Sequence, residues 1–205
     1  MRRLRKNALP LAAALALLAL AAVAASLALA RGGNEKPQAH ARATAQRQTA
    51  SRDLVARFAV LSRAHSNRCG MPASALNAMP PGSRLQGSCC FPMDYRSYVN
   101  QVRELSRRYP SVDVVPKDPY DIPVSLAKRL ISYQSITLTP EQQKTYKRAV
   151  PLSSTKGPCC CPCWRWTAFG GQAKYLIARR HYSAKQIAEV WSLEEGCGGP
   201  SHSHA

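Results

Sequence analysis

In the stretch DYRSYVNQVRELSRRYP, residues 94–110, the large apolar side chains fall on one side of a helix. Tyr95, Tyr98, Val99, Val102, Leu105 and Tyr109 recur at helical spacing, the pattern of an α-helix with one buried face. Asp94 begins this helix. Pro110 stops it, because a proline pushes the residue before it out of the helical region.

The same signals recur on either side. Ser51 caps a helix through about Ala64, with Leu54, Val55, Phe58 and Leu61 on one face. Residues 65–92, HSNRCGMPASALNAMPPGSRLQGSCCFP, read as a proline- and glycine-rich loop, and VDVVPKDPYDIP (112–123) as an irregular connector. A short helix from Val124 to Tyr133 presents Leu126, Leu130 and Ile131. Thr139, Pro140 and Gln142 open another helix as cap, first turn and capping-box partner. The segment AKYLIARR (173–180) is helical, and Ser183 with Gln186 forms a second capping box leading into IAEVWSL. Gly170-Gly171 and Gly198-Gly199 read as helix punctuation, and the glycines around Cys197 end the last helix. No internal repeat is visible and alternating strand patterns are scarce. The expected fold is mainly α: a small helical, cysteine-rich domain at 51–200 with cysteine-bearing loops, and a disordered tail at 201–205.

The 205 residues leave room for one domain of ordinary size. Arg2, Arg3, Arg5 and Lys6 precede the apolar run Leu9 to Ala30, which ends in the small-x-small pattern Ala28-Leu29-Ala30. Residues 1–30 therefore read as a secretory signal peptide or as an N-terminal membrane anchor. No cysteine precedes Cys69, so no lipidation site closes that segment. Residues 31–50 lack any large apolar side chain and read as a disordered tether. The domain is expected outside the cytoplasm, in a bacterial periplasm or on the outer face of the cell membrane. Without the first thirty residues, 25 basic side chains face 11 acidic ones, a charge of +14. That charge favours an anionic envelope surface as a neighbour. No zinc-finger spacing or aromatic-basic RNA motif is present, so specific nucleic-acid binding is not expected.

Chemistry concentrates in sulfur. The eight cysteines are Cys69, Cys89, Cys90, Cys159, Cys160, Cys161, Cys163 and Cys197, four of them within GPCCCPCWRW (157–166). Three readings stay open. An even number in an exported chain fits a disulfide framework, in which the four clustered cysteines find partners among the four outside. A C-x-x-C pair, Cys160 and Cys163, fits thiol–disulfide redox chemistry, although the βαβ surroundings of thioredoxin-type motifs are absent. The third reading is a soft-metal site for Cu(I) or Zn(II). Pro162 disfavours helix at Cys161, and an extended segment places Cys159, Cys161 and Cys163 on one face with Cys160 pointing away. Cys89, Cys90 and Cys197 complete that site, with Cys69, His202 and His204 as accessory donors. Trp164 and Trp166 either shield the sulfurs or belong to the core.

Pro158-Cys159-Cys160-Cys161-Pro162-Cys163 resembles the Pro-Cys-Tyr-Cys-Gly-Cys motif of a group of exported bacterial proteins, many of them lipoproteins. The alternating cysteines match at Cys159, Cys161 and Cys163, whereas Cys160 and Pro162 occupy the tyrosine and glycine positions. The resemblance covers the cluster and the helical segments from about residue 94 to 197. It implies an exported envelope protein with a metal role and no named reaction.

Catalytic signals are thin. His65 and Cys69 lie in a loop, His181 between two helices, and Asp113, Asp118 and Asp121 in a connector that lacks the glycine turn of a calcium loop. These aspartates are expected to cap turns. No phosphate loop, serine elbow or H-E-x-x-H is present, so no catalytic residue is assigned.

Overall fold

The computed structural model describes residues 35–80 and 82–198. The signal or anchor segment, His202, His204 and the tail lie outside the described residues. Among those described, no helix is long and apolar enough to cross a membrane.

Two units divide the chain, at Asp53 and Leu54. The described part of the first is helical. Helix α1 spans Glu35–Leu61, beginning well before Ser51, and takes in most of the segment read as a tether. Its alanines, glutamines and arginines are good helix formers, and the backbone closes its own hydrogen bonds without an apolar face. Most described side chains from 39 to 53 are exposed, as expected of residues with nothing to bury.

The second unit holds the core. Helices α2 (Tyr95–Arg108), α3 (Val124–Ser132), α4 (Pro140–Leu152), α5 (Trp164–Arg180) and α6 (Ala184–Leu193) follow in order, with 3-10 turns at Ala73–Ala78 and Tyr133–Ser135. Two short strands, β1 (Arg84–Gln86) and β2 (Asp121–Pro123), pair antiparallel with Leu85 opposite Ile122, both fully buried. They are too short for a legible alternation. The fold is mainly α.

Local signals set the helix ends. The Asp94 carboxylate accepts from the Ser97 amide at 2.8 Å at the start of α2. Thr139 with Gln142 and Ser183 with Gln186 form complete capping boxes on α4 and α6. On α2, Tyr98, Leu105 and Tyr109 are buried as expected. From the end of α1, Leu54, Phe58 and Leu61 pack with Tyr98 and Tyr120, whereas Val55 is 51% exposed because it points off that face.

Helix α5 is the central strut, carrying Trp164, Ala168, Phe169, Ala173, Leu176 and Ile177 into the main core. It starts directly after the cysteine run, earlier than AKYLIARR indicates. Gly170 and Gly171 therefore sit inside it and do not punctuate it. A β-carbon at Gly171 would collide with the Leu130 carbonyl of α3, so close contact between helices accounts for that glycine.

The connector aspartates serve structure. Asp118 accepts from the Tyr120 amide at 2.9 Å, from the Tyr98 hydroxyl at 3.0 Å and from Arg57 at 2.9 Å. Asp121 pairs with Arg84, and Asp113 with Arg129.

Candidate metal centre

Four backbone segments meet at one end of α5. Loop 62–72 brings Cys69, loop 87–93 brings Cys89 and Cys90, segment 157–163 brings four sulfurs, and the turn after α6 brings Cys197. Main-chain bonds lock them together. The amides of Cys89, Cys90 and Phe91 donate to Gly196 and Cys197 carbonyls at 3.0, 3.3 and 2.8 Å. The Trp164 amide donates to the Met71 carbonyl at 2.8 Å, tying the start of α5 to the Cys69 loop. Asn67, buried, joins three segments: it donates to the Gly87 carbonyl at 3.0 Å, and its Oδ1 accepts from the Trp164 indole at 2.9 Å.

The cysteine run is shaped from both sides. Ser153 Oγ accepts from the Gly157 amide at 2.9 Å, and Thr155 donates to the Gly157 carbonyl at 2.6 Å. The Cys163 amide then closes a three-residue turn onto the Cys161 carbonyl at 2.8 Å, across Pro162. Cys163 is the N-cap of α5. Its sulfur makes no capping hydrogen bond to the first helical turn.

All eight cysteines are free thiols, and every one belongs to a group of three whose sulfurs lie within 4.8 Å of one another. The groups are Cys69-Cys90-Cys161, Cys89-Cys90-Cys197, Cys159-Cys160-Cys197 and Cys159-Cys161-Cys163. The separations include 3.5 Å for Cys89–Cys90, 3.8 Å for Cys159–Cys163, and 4.0 Å for both Cys159–Cys197 and Cys69–Cys161. Cys69 and Cys90 approach most closely, at 2.9 Å. A metal–sulfur bond of about 2.3 Å places three trigonal sulfurs about 4.0 Å apart. The 3.5–4.0 Å separations are close to that spacing, and the Cys69–Cys90 approach is shorter than it.

Burial grades across the cluster. Cys89, Cys159, Cys163 and Cys197 are buried, Cys90, Cys160 and Cys161 half-buried, and Cys69 exposed. A recess of about 420 Å³ lined by His65, Asn67, Arg68, Cys89 and Cys90 opens beside the exposed corner.

Arg165 supplies the countercharge. Its side chain is fully buried, with the guanidinium 5.2 Å from the Trp164 ring centre and 5.5 Å from that of Phe169. It donates to the Glu194 carbonyl at 3.0 Å and to the Pro119 carbonyl, and its Nε–H has no partner among the described residues. A β-carbon at Gly196 would strike this guanidinium, so only glycine lets the chain pass there. Burial pushes the Glu194 carboxyl well above the usual carboxylate range, against hydrogen bonding from Gln172 and the charge of Arg165. The cation is balanced by sulfur instead. Burial works against the charge of Arg165, and nearby sulfur, first Cys89 and then Cys159, supports it.

Among the sulfurs, Cys159 is drawn down furthest. Hydrogen bonds from Cys160, Cys163 and Cys197 hold its thiol far below the ordinary value, with Arg165 assisting. Cys89 is drawn down to about 7, first by a hydrogen bond from Cys197, with burial opposing and Arg165 assisting. The donors move the other way. Hydrogen bonding to Cys159 pushes Cys160 up to about 12 and, together with burial, raises Cys163. Cys197 is raised by its hydrogen bonding with Cys159, Cys160 and Cys89, while burial raises Cys90 and Cys161.

The structure joins Cys159, Cys161 and Cys163 in one group, on a run of bends closed by the Cys161–Cys163 turn and not on an extended segment. It brings Cys89, Cys90 and Cys197 to the same cluster. Cys69, expected as an accessory, is a full member of a triad. Cys160 does not point away from the cluster, because Cys197 arrives on its side of the chain and gathers it with Cys159. Cys160 and Cys163 fall in different triads, each bonded to Cys159. Trp164 belongs to the main core, and Trp166 is 41% exposed, lying over Gly157. Sequence reasoning missed Asn67, Arg165 and Gly196. A charged residue between two tryptophans at the very start of a helix, directly after the cysteine run, was the available signal for Arg165.

Comparison of the chain with protein-family models, with curated proteins and with solved structures finds no match.

Proposed function

We propose that this protein binds a thiophilic metal through its clustered cysteine thiolates, with Cu(I) the favoured ion and Zn(II) the alternative. The observation that carries this reading is that each of the eight free thiols lies in a three-sulfur group of metal-binding size. A disulfide framework needs isolated pairs. Here four sulfurs belong to two groups each, and adjacent cysteines such as Cys89 and Cys90 cannot bridge each other without straining the peptide. Soft thiolates select Cu(I) and Zn(II) over hard cations. The alternating match to the Pro-Cys-Tyr-Cys-Gly-Cys motif at Cys159, Cys161 and Cys163 supports the same reading, as does the leader-like sequence of residues 1–30 for an extracytoplasmic site.

The test is anaerobic purification of the reduced protein, equilibration with Cu(I) or Zn(II) against a competing chelator, then elemental analysis and thiol titration. Retained metal with thiols protected from alkylation supports the proposal. Eight sulfurs in four bridges, with no metal retained, would overturn it.

A redox reading gains one observation, the 2.9 Å approach of exposed Cys69 to Cys90. It moves the candidate redox pair away from Cys160 and Cys163.

A further inference from the structure

The four triads are not separate sites. Cys90 is common to the Cys69-Cys90-Cys161 and Cys89-Cys90-Cys197 groups, and Cys197 to the latter and Cys159-Cys160-Cys197. Cys159 then links that group to Cys159-Cys161-Cys163, and Cys161 returns to the first. The groups close into a ring. Four cysteines, Cys90, Cys159, Cys161 and Cys197, each stand in two groups. The other four, Cys69, Cys89, Cys160 and Cys163, each stand in one.

That partition has a direct coordination meaning. A thiolate sulfur carries enough lone pairs to bridge two soft ions. If each triad holds one ion, the four shared sulfurs bridge neighbouring ions and the four unshared sulfurs are terminal ligands. Every sulfur is used and every ion has three donors. Zn(II) in structural sites takes four ligands in a tetrahedron, which triads do not supply. Cu(I) has a filled d shell, is satisfied by three thiolates and is soft.

We propose that the eight thiolates hold one ring-shaped cluster of four Cu(I) ions, bridged by Cys90, Cys159, Cys161 and Cys197, with Arg165 as its buried counter-cation. This rests on the metal-binding reading above and extends it to nuclearity and oxidation state. Each sulfur that still carries a proton gives it up to solvent on loading, and no electron is transferred because copper enters as Cu(I). Four monovalent cations and eight thiolates leave a net charge of −4. A buried anion of that size needs positive potential nearby. Arg165 is fully buried beside Cys159, Cys89, Cys197 and Cys163, and Cys163 is the N-cap of α5, at the positive end of that helix. The Cys69-Cys90-Cys161 corner carries the exposed thiol, so the ion there is the first to exchange.

The experiment uses the reduced full chain, titrated anaerobically with Cu(I) held by a chromophoric chelator, with elemental analysis and copper X-ray absorption at saturation. The expected result is four copper ions per chain, three sulfurs about each, and a short copper–copper vector. One or two ions per chain without that vector would overturn the cluster while leaving metal binding intact. No retained copper would overturn both. Cys69→Ser, at the exposed thiol, is expected to lower capacity from four ions to three with the copper–copper vector kept. Unchanged capacity in that variant would overturn the assignment of the corner ion.

Discussion

The indole N–H of Trp164 donates to the side-chain oxygen of Asn67 at 2.9 Å, and this bond joins the first residue of α5 to the loop that carries Cys69. Trp164 is anchored in the main core, so Asn67 transmits the position of that core to the thiol cluster.

Replacing Asn67 with alanine leaves the Trp164 N–H and the Gly87 carbonyl buried without their partners. Each such group costs about 1–3 kcal/mol, so Asn67→Ala is expected to destabilise the protein by roughly 2–6 kcal/mol. Urea unfolding of the reduced apo protein measures this. A loss below about 0.5 kcal/mol, the size of an ordinary surface substitution, would mean the bond carries no such role.

Arg165→Met keeps a long apolar stem in place and deletes the buried charge. Cu(I) affinity is expected to fall at least tenfold, about 1.4 kcal/mol, because the anionic sulfurs lose their counter-cation. The thiolate absorbance of the apo protein should appear at higher pH in the same variant. Arg165→Lys restores the charge without the planar fork and is expected to fall between the two. Equal copper affinity in all three proteins would separate Arg165 from the site.

Metal loading should release protons in a countable way. Cys90, Cys160, Cys161, Cys163 and Cys197 are all held above the ordinary thiol value, Cys160 at about 12, so they carry protons at neutral pH. Metal-bound sulfur carries none, so the apo state binds more protons and affinity rises with pH. Titration with Cu(I) in weak buffer near neutrality is expected to release at least five protons per saturated chain. Affinity that does not change between mildly acid and neutral solution would contradict thiolate ligation.

Oxidation should begin at the exposed corner. Glutathione disulfide is expected to convert Cys69 and Cys90 into one disulfide, releasing two reduced glutathiones as their sulfur accepts the two electrons. Peptide mapping should find that bridge before any other, and copper capacity should drop with it. Cys69→Ser removes the reaction. A first bridge between Cys160 and Cys163 would restore the C-x-x-C reading instead.

Much of the helical framework was legible because its signals are local. Asp94, Thr139 and Ser183 act on amides three residues away, and Pro110 acts on its immediate neighbour. Sequence adjacency captures such effects. The start of α1 was missed because an Ala-, Gln- and Arg-rich segment closes a helix without an apolar face to announce it. Gly170 and Gly171 were misread because their reason lies across the interface, in Leu130 and Gln134.

The sequence by itself determined that the candidate chemistry lies in sulfur and that Cys159, Cys161 and Cys163 keep to one side of the fold, since five positions of chain cannot carry them far apart. Only the tertiary structure decided that Cys69, Cys89, Cys90 and Cys197 come to that side as well, and that Cys160 joins them. Those sulfurs arrive on loops tied by long-range main-chain bonds and by Asn67, whose partners lie 20 and 97 residues away. The burial of Arg165 was likewise a tertiary outcome. A cation is held away from water only where sulfur from several segments converges to balance it.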